Sequence, residues 1–385
     1  MANVLTSLAG DIYKAADLVG RETVGFIPSV TMNADGSERV AKDGVVRAAF
    51  TRAATAGDLA PSMTTPEGTD QTIDNKTLTI NKMRGVQIPW TGEDVKHVNN
   101  GAGFSSIYGD QIAQAMRTLT NEIEIDLGVE AYQNASRAYG TAGTTPFGSN
   151  FNDVAQIRQI LVDNGCPMDI GNLALVMGTA AGTNLRNLAT LTGVNTAGTD
   201  ATLRRGELLN LQSFSLRESA GVASHTKGTA TGFDANGGEP IGETTLVVDG
   251  SNSGTVLKGD NVTFAGDTNR YMIQSATVSG AATGNIVISA PGLREALATT
   301  VEGTLGASYA ANVGFHRSAL ELAIRAPAVP DGGDIADDAM LVQDPFSGLI
   351  FEIRVYKGYR KAMIEVAAAW GVKAWKRENI AVLLG

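Results

Sequence analysis

The chain has 385 residues, enough for roughly two or three domains, and 43% of them are hydrophobic, which excludes wholesale disorder. Charged residues make up only 18%, with Ala, Gly, Thr and Asn in their place, so much of the surface is expected to lie against neighbours. A net charge of −10 gives no bulk attraction for phosphate backbones, which removes nucleic-acid binding as a first reading.

The single cysteine, Cys166, allows no intramolecular disulfide and reads as a small buried residue beside Pro167. The first ten residues carry no basic leader, and no apolar run approaches the ~20 residues of a membrane span. Folding in a cytoplasm, away from membranes, is the expectation.

Residues 3–20 read as an amphipathic helix, with Val4, Leu5, Leu8, Ile12, Ala15 and Leu18 on its apolar stripe and Gly20 as a stop. A lone helix of this kind must bury its stripe on its own body or on a partner. Residues 21–70 are extended and turn-rich, with turn signals at Asn33-Ala34-Asp35-Gly36 and Lys42-Asp43-Gly44. Leu78, Ile80, Val86 and Ile88 then alternate with polar residues. The stretch predicts a long two-stranded arm. An isolated hairpin is marginal in water, so the arm needs a neighbour to lie on.

The strongest helical pattern covers 105–139, with Ile112, Met116, Leu119, Ile123 and Leu127 in one stripe. A second helix is predicted over 152–164, a buried strand over Leu173–Met177 and a helix from Thr179 to Leu191. Leu203 to Leu211 is ambiguous. Together these elements suggest an α/β domain.

From about Gly221 to Ala298 the pattern changes. Four short β runs, around Leu246–Val248, Val262–Phe264, Tyr271–Ile273 and Ile286–Ile288, are separated by Gly, Asp and Asn. Such spacing predicts a small barrel or sandwich inserted in the larger fold. Phe315 to Arg325 reads as a helix ended by Pro327 and Pro330. An acidic loop follows at Asp331, Asp334, Asp337 and Asp338. Strands at 349–356 and 362–367 form a hairpin through Lys357-Gly358-Tyr359, and a last strand runs from Ile380 to Leu384.

No motif assembles a nucleophile, a base and an orienting group. His97, His225 and His316 fall in three separate elements without metal-ligand spacing, and each reads as structural. Gly178-Thr-Ala-Ala-Gly182-Thr lacks the lysine of a phosphate-binding loop and reads as a helix start. The acidic loop does not follow EF-hand spacing and reads as a solvated turn. Arg204-Arg205 and Lys373 to Arg377 are short basic clusters that suit subunit salt bridges or plain surface. No enzyme, cofactor or metal is expected.

Several strings in order resemble the major capsid (coat) proteins of tailed phages, specifically the P-22-type coat protein family. They are Leu8-Ala9-Gly10-Asp11, His225-Thr-Lys-Gly-Thr-Ala-Thr-Gly232, Gly259-Asp-Asn-Val-Thr-Phe-Ala-Gly266, Ala369-Trp370-Gly371-Val372 and Arg377-Glu378-Asn379-Ile380. The resemblance implies an α+β chain with the Hong Kong 97-type capsid fold: a long spine helix, an extended β-hairpin loop and an inserted small β-barrel domain. It maps 1–35 to an N-terminal arm, and 36–100 to the extended loop and the start of a peripheral domain. Residues 101–150 would hold the spine helix and 151–220 an axial domain. The inserted β domain would be 221–300, the axial return 301–345 and the peripheral strands 346–385.

The function the resemblance implies is mechanical. Many copies would form hexamers and pentamers of an icosahedral shell around double-stranded DNA, enclosed without specific binding. The shell would be a virion capsid assembled in the bacterial host cytoplasm. A scaffolding protein and a portal are the implied partners, with a possible decoration protein. Asp11 would be an interface residue, a charge partner for a basic scaffold helix. The alternatives are a β-rich decoration, tail or adhesin-type binding protein, and an encapsulin-like cellular compartment shell.

Overall fold

The computed structural model describes residues 24–51, 61–63, 73–99, 104–188, 191, 210–249, 254–277, 283–344 and 347–385. The expected helix at 3–20, with Asp11, and the Arg204-Arg205 pair lie outside them.

One sheet is organised by a single long strand, Lys361–Ala374. It pairs antiparallel with Ile350–Gly358 along its first half and with Leu320–Pro327 along its second. Lys82–Thr91 pairs with it from Lys361 to Trp370. Thr31–Val40 adds a parallel edge beside Leu320–Pro327, and Ala336–Gln343 adds an antiparallel edge beside Ile350–Gly358. The helix Phe104–Gln133 lies over this sheet. Its 30 residues would span about 45 Å. The predicted stripe is its buried face: Ile112, Met116, Leu119, Ile123 and Leu127 share a core with Ile364, Val366 and Trp370. Carboxylates beside the stripe fasten it. Asp126 accepts from Trp370 Nε1 at 2.8 Å and meets Lys82 Nζ at 2.6 Å, and Glu130 accepts from Ala374 N at 3.1 Å.

A second sheet has Ile380–Leu384, Tyr309–His316, Leu173–Met177 and Phe214–Glu218 at its centre. Helices Asn152–Asp163 and Thr179–Asn187 cover it through Val154, Ile157, Leu161 and Leu185. On one side the sheet continues through Arg137–Tyr139 to Arg270–Ala276, and so into a barrel. That barrel has six strands, in the order Asn261–Phe264, Glu302–Leu305, Gly232–Ala235, Thr245–Asp249, Thr283–Ile288 and Arg270–Ala276. Pairing of the last with the first closes it. Phe233, Leu246, Val248, Val262, Phe264, Tyr271 and Ile286 fill its interior.

All four β runs read from the sequence are barrel strands. The fifth and sixth come from Gly232–Ala235 and from Glu302–Leu305, the latter beyond residue 300.

Several expectations need correction. Phe315 to Arg325 is not a helix. It is the end of Tyr309–His316, a single turn at Arg317–Ala319 and the strand Leu320–Pro327. Leu320 and Ile324 share a face at helical spacing, but four residues is also twice the strand period, so Leu322 joins them on that face. The long helix ends at Gln133 rather than 139, because Ser136 N bonds to Ile380 O at 2.9 Å and the chain turns into the sheet as Arg137–Tyr139. The helix from Thr179 stops at Asn187. Asn33–Gly36 is no turn: it lies within the strand Thr31–Val40, which bulges between Asp35 and Arg39. Asp337 and Asp338 belong to the edge strand Ala336–Gln343 rather than to a loop.

Candidate functional site: a projecting hairpin and a braced barrel

Val45–Thr51 and Ile73–Thr79 form a two-stranded antiparallel hairpin, in register from Val45↔Thr79 to Thr51↔Ile73. Among the described residues, neither strand pairs with anything else. Both outer edges thus present backbone groups that no other described strand pairs with. Among the described residues, the hairpin's anchor is at its base. Leu78 and Ile80 are buried against Ala323 and Ala369, with Val40, Val46 and Trp375 around them. Asp43 N donates to Ile80 O at 2.8 Å, and Ile80 N to Gly44 O at 2.9 Å. The base crosses the long strand at Gly371, where a Cβ would stand 2.2 Å from Thr79 O and 3.0 Å from Ile80 Cα. Above the base, Val45, Arg47 and Thr77 are exposed, as is Met63 further along the connection.

The barrel is braced at its root. His225 and Asp260 are both buried, with His225 Nε2 2.7 Å from Asp260 Oδ1. The same carboxylate accepts from Gly228 N at 3.2 Å and from Leu257 N at 2.7 Å. It thus ties the strand leading into the barrel to the loop before Asn261. Tyr132 of the long helix packs edge-on against His225, and Tyr309 donates to Gly259 O at 2.6 Å. Arg137 makes a second brace. It donates to Asn269 Oδ1 at 2.7 Å on the barrel side, and to Ile160 O at 3.2 Å in the helix Asn152–Asp163 and Asn164 Oδ1 at 3.1 Å just past its end. Burial pulls its pKa down from the ordinary guanidinium value. Gln274 Nε2 donates to Gln133 O at 2.8 Å.

The string from Gly259 to Gly266 therefore has a structural meaning. Asp260 is the tie, Val262 and Phe264 point into the barrel core, and Gly266 sits in the turn that follows.

The other singled-out residues do not converge. His97 lies in the helix Gly92–Asn99. His316 accepts from Ser318 N at the single turn after its strand, and burial holds its pKa below the ordinary histidine value. Cys166 is buried, and desolvation pushes its thiol up to about 11. Gly178 starts the helix Thr179–Asn187 and donates to Asn312 Oδ1 at 2.8 Å. Two of the acidic-loop carboxylates have cation partners: Asp334 pairs with Arg354, and Asp337 with Lys357 at 2.5 Å. Among the described residues, no group of three His, Cys, Asp or Glu could hold a metal ion, and no helix is long and apolar enough to cross a membrane.

Sequence reasoning missed the tie at Asp260, the brace at Arg137 and the crossing at Gly371. By pattern Arg137 falls within the predicted helix 105–139, and Asp260 and Gly371 appear only within the strings Gly259–Gly266 and Ala369–Val372, neither of which names a partner.

The fold is of the class found in phage capsids. Over 94% of this chain and 88% of the other, it is similar to the capsid structure of the cyanophage P-SCSP1u, with 11% identity and a TM-score of 0.51. The chain also aligns with a structure of Mycobacterium phage Che8, at 14% identity over 89% and 85% of the two chains with a TM-score of 0.46. A third alignment is with the asymmetric unit of the bacteriophage PhiM1 mature capsid, at 10% identity over 94% and 87% with a TM-score of 0.47. No family model and no curated protein matches the chain.

Proposed function

We propose that the chain is the major capsid protein of a tailed phage, with the Hong Kong 97-type fold and a barrel inserted in the manner of the P-22-type coat proteins. Many copies form hexamers and pentamers and close into an icosahedral shell that encloses double-stranded DNA. The role is mechanical and involves no catalysis. One observation carries the reading: in a fold of the phage-capsid class, a two-stranded hairpin is packed at its base and, among the described residues, pairs with no other strand at either edge. A neighbouring copy supplies the surface that such a hairpin lacks.

The hairpin serves as the extended loop, the helix Phe104–Gln133 as the spine, and the sheet around Lys361–Ala374 as the peripheral domain. The second sheet with its two helices is the axial domain, from which the barrel projects. Residues 1–35 act as the N-terminal arm, and Asp11 meets a basic scaffold helix. A portal and a decoration protein complete the set of partners. The acidic balance suits a container that holds its DNA without gripping it.

The test is expression of the chain with and without a candidate scaffold, followed by electron microscopy. Closed shells tens of nanometres across are expected. A chain that stays monomeric with every candidate scaffold, or forms fibres, would overturn the reading. A parallel variant with 48–76 replaced by a short Gly-Ser link should fold but form no shells.

A further inference from the structure

Glu124 lies in the middle of the long helix and is buried, and its carboxylate is surrounded by donors from two distant segments. Oε1 accepts from Gly25 N at 2.6 Å, from Phe26 N at 2.8 Å and from the Ser219 hydroxyl at 2.7 Å. Oε2 accepts from Ile27 N at 3.0 Å. Three consecutive amides thus cup one carboxylate, a concave arrangement suited to an anion.

The cup is held from behind. Ser29 donates to Gly25 O through its hydroxyl at 2.7 Å, and the Phe26 ring stacks on Phe315 with centroids 6.1 Å apart. The Ser219 side is equally close. Ser219 Oγ accepts from Gly221 N at 3.1 Å, and a Cβ on Gly221 would stand 2.9 Å from Glu124 Cγ. Both segments lead somewhere. Val24, the first described residue, immediately precedes the cup. Ser219–Gly221 runs on through Val222 to Ser224–His225, the strand that enters the barrel root.

We propose that Glu124 is a mechanical junction that couples the N-terminal segment to the root of the barrel. A partner that draws on residues 1–23 pulls on the three amides, and the carboxylate shares that load with Ser219. The segment 219–225 and the tie at His225 then respond. Two segments far apart in sequence, which also approach each other where a Cβ on Gly25 would stand 3.1 Å from Ser219 Cβ, are joined through the hydrogen bonds of one buried side chain. The assembly meaning rests on the capsid reading; the coupling itself does not.

Hydrogen–deuterium exchange on the full, unassembled chain tests it, so the result does not depend on whether shells form. Glu124→Gln replaces one acceptor oxygen by an amide group that faces other donors. Exchange should quicken about tenfold or more in peptides covering both 24–27 and 219–225, while the barrel strands and Lys361–Ala374 stay as in the parent. A rise at 24–27 alone, no rise, or an equal rise throughout the chain would each overturn the junction. Should Glu124→Gln fail to fold, Ser219→Ala decides, because it leaves the carboxylate and its three amides in place. Coupling requires faster exchange at 24–27 as well as at 219–225; a change confined to 219–225 overturns the proposal.

Discussion

His225 Nε2 stands 2.7 Å from Asp260 Oδ1, with both side chains buried at the junction of the barrel and the body. The pair closes a loop in the chain path. His225 precedes the first barrel strand, Asp260 precedes the third, and the carboxylate also satisfies the amides of Gly228 and Leu257. Replacing Asp260 with Ala leaves a buried imidazole and two amides without their acceptor. Each buried donor left without an acceptor costs about 1–3 kcal/mol. The urea midpoint of the variant should fall accordingly, with exchange rising first in peptides covering 225–232 and 255–262. An unchanged midpoint would mean that the tie holds nothing.

Much of the fold was legible because local pattern and tertiary environment agree. The stripe Ile112, Met116, Leu119, Ile123 and Leu127 is apolar at helical spacing and is buried. The runs at 246–248, 262–264, 271–273 and 286–288 are short, alternating and bounded by turn residues, and all four are strands. Phe315 to Arg325 was misread because its apolar spacing satisfies both periods, and only its pairing with Lys361–Ala374 decides between them. The barrel's sixth strand, Glu302–Leu305, holds two glycine-and-polar steps and a single large apolar residue, so it carries little pattern of its own. The joint was least legible. His225 and Asp260 are 35 positions apart, and nothing in either neighbourhood announces the other.

Gly371 marks where the hairpin base crosses the sheet. A methyl group there would press on Thr79 O at 2.2 Å, and backbone cannot yield as a flexible side chain can. Gly371→Ala should therefore lift the base away from Ala323 and Ala369 and weaken the bonds between Asp43, Gly44 and Ile80. Backbone shifts of this kind cost about 1–3 kcal/mol. The expected result is faster proteolysis within the hairpin, with the barrel's exchange unchanged; on the proposed capsid reading, shell yield falls sharply as well. Parent-like cleavage would show that the hairpin does not depend on this crossing.

Cys166 offers a chemical probe of the domain built on the second sheet. Burial raises its thiol to about 11 from an ordinary value near 9, so the reactive thiolate is scarce at neutral pH and the sulfur is shielded. Labelling by iodoacetamide at pH 8 should be slow in the folded chain and fast in urea. The stability consequence follows from the direction of the shift. Above pH 9 the unfolded chain loses the proton while the folded chain keeps it, so stability falls as pH rises from about 9 to about 11. Cys166→Ala should flatten that fall, and equal slopes in the two proteins would place the thiol in water.

His316 acts in the opposite pH range. Burial is the largest influence on it and favours the neutral ring, whose Nδ1 accepts from Ser318 N at 3.2 Å. In the unfolded chain the ring protonates near its ordinary pKa of about 6.5. In the folded chain it does so only at lower pH. Between those points the unfolded state binds more protons, so stability is full above about 6.5 and is lost as pH falls toward the folded value. Protonation would also turn Nδ1 from an acceptor into a donor facing the Ser318 amide, which opens the turn Arg317–Ala319 between two central strands. Unfolding midpoints measured from pH 7.5 down to 5 should therefore decline for the parent. His316→Asn keeps a side-chain acceptor for the turn but cannot titrate, so its midpoints should decline less over the same interval; a parallel decline would assign the acid sensitivity to other groups.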